Sequence, residues 1–128
     1  MKKSQILIID DEEPLCRMFK MNLEKTGSYT ADTAANAEEG FARLNEKHYD
    51  MIFLDVLMPQ IEGGEALQRI KKMTPTPVVI MSAYLPPDKH EAIRRAGAFD
   101  IIEKPFNFSL ILDLIHKGLA AQEKERIG

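Results

Sequence analysis

The sequence predicts an α/β domain, a doubly wound parallel sheet of five strands flanked by five helices, and two observations carry that expectation. Short apolar runs, Ile6-Leu7-Ile8-Ile9, Met51-Ile52-Phe53-Leu54 and Val78-Val79-Ile80-Met81, alternate with longer amphipathic stretches. Runs of that length and β-branched content read as strands buried on both faces, and strands alternating with helices imply parallel pairing through right-handed crossovers. The second observation is where the runs stop. They end on Asp10-Asp11, on Asp55 and on Ser82, and a fourth run, Phe99 to Glu103, ends on Lys104-Pro105. The carboxyl ends of the strands border the ligand crevice of an open α/β sheet, so three carboxylates, a hydroxyl and an amine are expected in one pocket.

Each element follows from its residues. After the first strand, Pro14 sits where a helix can begin without losing a hydrogen bond, and Leu15, Met18, Phe19, Met21 and Leu23 supply an apolar helical face as far as Gly27. Tyr29 to Ala34 is a short second strand. Asn36 suits the N-cap of a helix through Phe41 and Leu44, with Glu38 and Glu39 near its positive end. The third strand runs from Met51 to Asp55. A loop from Val56 to Glu62 leads to a helix holding Ala66, Leu67 and Ile70, which must stop before Pro75. Strand four covers about Pro77 to Ser82. Pro86-Pro87-Asp88 punctuates the chain before a helix with Ile93 inward, ended by Gly97. Strand five covers about Asp100 to Glu103, and a last helix runs from about Phe108 to Gln122. In the flavodoxin-like order 2-1-3-4-5, strands one and three adjoin at the switch point, where Asp10, Asp11 and Asp55 converge.

Bulk composition narrows the function classes. A chain of 128 residues makes one core, read as a domain over 1–122 followed by a charged tail or linker start over 123–128. With 45% hydrophobic and 29% charged residues, neither disorder nor a disulfide scaffold is indicated. The net charge of −3 gives no electrostatic case for nucleic-acid binding by this domain. Cys16 has no cysteine to pair with and reads as a small packing residue of the first helix. No basic, apolar, small-residue leader and no membrane-length apolar stretch are read, so a cytoplasmic protein is expected. His48, His90 and His116 lack metal-site spacing and read as surface or boundary residues, and the methionines read as core filling.

Three carboxylates in one place need relief. Two unit charges ~4 Å apart repel by roughly 4 kcal/mol at an effective dielectric near 20, so the cluster should take up protons or recruit a cation. Oxygen-only ligands in an open site favour Mg²⁺, with Mn²⁺ as a substitute. Lys104 adds a cation that is no metal ligand, and Ser82 can donate a hydrogen bond to the same guest. Ion and ammonium together make the clamp expected for a phosphoryl group in transfer. Taken singly, every piece has a plainer reading. An acidic pair after a strand is commonly a solvated helix start, Asp55 could cap a turn, Ser82 could be structural and Lys104 a surface charge. The joint pattern is what points to chemistry.

That pattern resembles the receiver domain of two-component response regulators. Asp10-Asp11 after strand one, Asp55 followed by Met58-Pro59 and Gly63, Ser82-Ala83 after strand four, and Lys104-Pro105-Phe106 match in order over almost the whole chain. The resemblance implies that Asp55 is the phosphoacceptor, attacking a phosphohistidine on a sensor histidine kinase or phosphotransfer protein. It implies Mg²⁺ on Asp10, Asp11, Asp55 and the backbone carbonyl of Leu57, Ser82 and Lys104 as readers of the phosphoryl group, and a cis bond before Pro105. Helix one with Pro14, Leu15 and Met18, together with Pro105 and Phe106, corresponds to the surface where receivers dock a kinase helix. The face of helix four, strand five and helix five corresponds to the family's output and homodimer surface. Such a domain is a phosphoacceptor with self-directed chemistry only. Leu57 and Tyr84 flank the line of water attack and neither is an efficient base, so self-hydrolysis of the phosphoryl group is expected to be slow.

The switch departs from the family pattern at one place. Receivers usually carry Tyr or Phe three residues before the lysine, and here that residue is Ile101, with Phe99 two residues earlier expected on the same strand face. Two readings from other classes share parts of this pattern. A haloacid-dehalogenase-like phosphatase also sets a nucleophilic Asp, Mg²⁺, Ser and Lys at parallel strand ends, but it typically puts a second Asp where this chain has Leu57. A degenerate binding module would not need the complete acidic set, Ser82 and Lys104.

Overall fold

The computed structural model describes residues 2–56 and 63–127. Its elements alternate throughout: β1 (Ser4–Ile9), α1 (Glu13–Lys25), β2 (Tyr29–Ala34), α2 (Ala37–Glu46), β3 (Met51–Asp55), α3 (Gly63–Met73), β4 (Val78–Ser82), α4 (Pro87–Arg95), β5 (Asp100–Glu103) and α5 (Phe108–Ile127). The five strands form one parallel sheet in the order β2-β1-β3-β4-β5. Every residue of Ile6–Ile9 and Met51–Leu54 is fully buried, which is why these strands carry no polar alternation.

The two sheet faces have separate cores. On one, α1 and α5 lay Phe19, Leu23, Ile111 and Ile115 over Ile6, Ile8, Met51, Phe53 and Met81. Phe19 is the hub there, its ring meeting Phe53 edge-on at 5.0 Å and Phe106 at 5.7 Å. On the other face, Phe41, Ala66, Leu67, Ile70 and Ile93 from α2, α3 and α4 cover Leu7, Ile9, Ile52, Leu54 and Ile80.

Local signals act where the residues place them. Asn36 caps α2, its Oδ1 accepting from the Glu39 amide at 2.9 Å, while Glu39 Oε2 reaches back to the Ala35 amide at 3.1 Å. Gly27 and Gly97 take the left-handed conformation just past α1 and α4, with φ of 81° and 109°. The peptide bond before Pro105 is cis.

Three expectations are corrected. Met18 and Met21 are not part of the inward face of α1: they are 61% and 55% exposed, because Cys16, Phe19 and Leu23 form the buried stripe and residues two positions on point away from it. Met73 is also exposed, so among the methionines of the described residues core filling holds for Met51 and Met81. Phe99 does not share a face with Ile101. β5 begins at Asp100, so two-residue alternation does not reach back to Phe99, which packs toward α5 while Ile101 packs toward α4. The last helix, expected to end near Gln122, runs on to Ile127.

Candidate functional site at the carboxyl edge of the sheet

The register brings the acidic residues together. Ile9 pairs with Leu54, so the next residues on β1 and β3, Asp10 and Asp55, stand side by side. The Asp10 amide continues the sheet by donating to Ala34 O at 3.0 Å, and its Oδ1 accepts from the Glu12 amide at 2.9 Å. Behind it, the buried Cys16 thiol donates to the Asp10 carbonyl at 3.3 Å. Burial and the nearby Asp10 charge push that thiol up to about 11, so it is an inert packing group at neutral pH.

Carboxylate oxygens of Asp10, Asp11 and Asp55 lie within 4.8 Å of one another, with Asp10 and Asp55 buried and Asp11 exposed. Lys104 reaches the cluster from the end of β5, tied to β4 by its amide donating to Ser82 O at 2.8 Å. Its Nζ lies 2.7 Å from Asp10 Oδ2, 2.8 Å from Glu12 Oε1 and 3.3 Å from Asp55 Oδ2. Burial alone would lower the ammonium's pKa, but the carboxylates of Asp10, Glu12 and Asp55 hold it well above the ordinary lysine range. Asp10 is raised from its usual value. Burial is the main cause and the Asp55 charge adds to it, against the pull of Lys104 and the Glu12 amide.

This donor set fits a hard divalent cation. Three carboxylates from two adjacent strand ends offer only oxygen, and Asp10 Oδ2, though close to Lys104, is a buried oxygen outside hydrogen-bond geometry. An incoming cation would complete that oxygen's coordination and relieve the repulsion.

The remaining expected residues fall in three places. Ser82 is fully buried at the end of β4, its Oγ accepting from the Tyr84 amide at 3.1 Å. Ile101 is half-buried and packs against the core cluster that includes Leu85 and Ile93 of the α4 side. Pro14, Leu15, Met18, Pro105 and Phe106 line one apolar groove of about 310 Å³ beside the acidic edge. Leu57, Met58 and Pro59 lie outside the described residues. Glu12 was missed at the sequence level. It follows the acidic pair and reads as an ordinary helix start, and only the fold shows that residue 104 lies within reach.

A family model described as the response regulator receiver domain matches residues 6–116. Response regulator ArlR of Staphylococcus aureus is 32% identical over 124 residues, covering 97% of this chain and 56% of that protein. The chain therefore spans little more than half the length of the curated relatives it matches. Among solved structures, a response regulator receiver domain protein (CheY-like) from Methanospirillum hungatei JF-1 superposes with a TM-score of 0.91 at 30% identity, covering 97% of this chain and 99% of that one. A two-component response regulator from Clostridium difficile gives 0.88 at 27% identity, over 92% and 97%. Among the described residues, no helix is long and apolar enough to cross a membrane.

Proposed function

Because the chain belongs to the response regulator receiver domain family, we propose that it accepts a phosphoryl group on Asp55 from a phosphohistidine of a sensor histidine kinase or phosphotransfer protein. The observation that carries this reading is the convergence of Asp10, Asp55 and Lys104 at the ends of β1, β3 and β5, with the Lys104 ammonium 3.3 Å from the Asp55 carboxylate. In the transfer, an Asp55 oxygen forms a bond to phosphorus as the P–N bond breaks, and that bond's electron pair returns to the imidazole. Asp10, Asp11, Asp55 and the Leu57 carbonyl would hold Mg²⁺ or, as a substitute, Mn²⁺. When bound, the ion neutralises charge on the phosphoryl oxygens.

Lys104 contributes a second positive charge to those oxygens. Ser82 contributes a hydroxyl, which must turn from the Tyr84 amide toward the new group. That turn, with the 83–87 loop and α4, is the conformational step we assign to signalling. Ile101 offers no ring to rotate. The partner's helix would dock in the apolar groove of Pro14, Leu15, Met18, Pro105 and Phe106. The face of α4, β5 and α5 is assigned to output or homodimer contact, in a cytoplasmic protein whose receiver unit is 1–122. The chemistry is self-directed, with slow loss of the phosphoryl group because Leu57 and Tyr84 supply no base.

The test is incubation with Mg²⁺ and a small phosphodonor such as acetyl phosphate. An acid-stable, base-labile adduct is expected, absent in EDTA and in Asp55→Asn. Equal labelling of Asp55→Asn would remove the acceptor assignment, and continued turnover of small phosphate esters would favour a phosphatase instead.

A further inference from the structure

We propose that Glu12 is a displaceable stand-in for the phosphoryl group, holding Lys104 until the anion arrives and thereby setting how tightly the site takes it. The proposal rests on the receiver reading above. Glu12 occupies the N-cap of α1, where a side chain could accept from the helix's free amides, yet it makes no such bond. Its Oε1 instead accepts from Lys104 Nζ at 2.8 Å, across 92 residues of sequence. The contact ties the start of α1 to the residue that follows β5.

The three carboxylates around the ammonium differ in what it costs to release them. Asp10 is buried and its Oδ1 is engaged by the Glu12 amide, and Asp55 is buried at the end of β3. Glu12 is 58% exposed and can swing into water, where its charge is fully solvated. Lys104 already donates to Glu12 and Asp55 with Asp10 pressed against it, so a phosphoryl oxygen must take the place of one of them. Glu12 is the one that leaves without stranding a buried charge. It is no part of the carboxylate group that could hold a cation among the described residues, which consists of Asp10, Asp11 and Asp55.

The experiment titrates parent, Glu12→Gln, Glu12→Asp and Glu13→Gln by calorimetry, first with Mg²⁺ alone and then with beryllofluoride at saturating Mg²⁺. Glu13 is the control because it is more exposed and pairs with Arg17 rather than Lys104. Glu12→Gln is expected to lower the beryllofluoride dissociation constant about threefold to tenfold. Glu12→Asp, which keeps the charge but shortens the reach, should retain most of that gain. Glu13→Gln should stay within about twofold of the parent. Parent binding with no gain in Glu12→Gln, or an equal gain in Glu13→Gln, overturns the proposal and leaves the receiver reading intact. A tenfold loss of Mg²⁺ affinity in Glu12→Gln with weaker beryllofluoride binding would make Glu12 a metal holder and also overturn it. If the parent binds no beryllofluoride in Mg²⁺, the receiver reading fails and the proposal falls with it.

Discussion

An ion withdrawn wholly or partly from water needs partners that replace it, and Lys104 and Asp32 show two settings of that rule. Lys104 is surrounded by three carboxylates and stays charged, which keeps a cation ready where phosphate would come. Asp32, at the far side of the sheet, accepts from the Tyr49 hydroxyl at 2.6 Å and pairs with Lys47 at 3.0 Å. Burial pulls the Asp32 pKa upward, but the Tyr49 bond and Lys47 outweigh it, so it lies below its usual 3.8. A carboxylate depressed in the folded state contributes stability that is full above its unfolded value and is lost as pH falls through its folded value. Tyr49→Phe should therefore cost about 2 kcal/mol at pH 7 and clearly less at pH 3. Urea unfolding at both pH values measures this, and an equal cost at the two would refute the assignment.

Elements are held by contacts of different tolerance, and α2 packs against β1 with no room for a side chain at Gly40. A Cβ on Gly40 would lie 2.5 Å from Ile9 Cδ1 and 3.0 Å from Cγ1, in a core where Ile9 is fully buried. Alanine gains about 1 kcal/mol of helix propensity there, but overpacking costs about 1–3 kcal/mol. Gly40→Ala is expected to destabilise by about 1 kcal/mol, and adding Ile9→Val should cost less than its effect in the parent, since the two sites are coupled. A stabilised Gly40→Ala with additive behaviour would show that Ile9 yields freely. Element positions were legible because buried strands and helix caps leave local marks: Asn36, Gly27, Gly97 and Pro75 each act where expected. Facing was less legible. Met18 and Met21 are apolar yet lie off the stripe of Cys16, Phe19 and Leu23, and hydrophobicity alone does not tell a core residue from an exposed one or from one that lines a surface groove, as Met18 does. Phe99 was misplaced because alternation holds only inside a strand, and β5 starts one residue later.

For the whole molecule, the sheet order turns residues far apart in sequence into one edge. The placement of Asp10, Asp11, Asp55, Ser82 and Lys104 at one edge was legible because each lies at or just past the end of a strand, and parallel topology sends all those ends the same way. Glu12 was not, since its partner is set by where β5 lies rather than by any local pattern. The groove of α1 with Phe106 lies on the same side, so a docking partner would present its group beside the carboxylates. On the receiver reading, Asp55 itself carries the phosphoryl group. Phosphorylation with Mg²⁺ and acetyl phosphate, followed by borohydride reduction and peptide mass analysis, tests it most directly, because an aspartyl phosphate is reduced to homoserine. Homoserine at position 55 alone is the expected result, and homoserine at another carboxylate, or none at 55 in a protein that has gained a phosphoryl group, would contradict it.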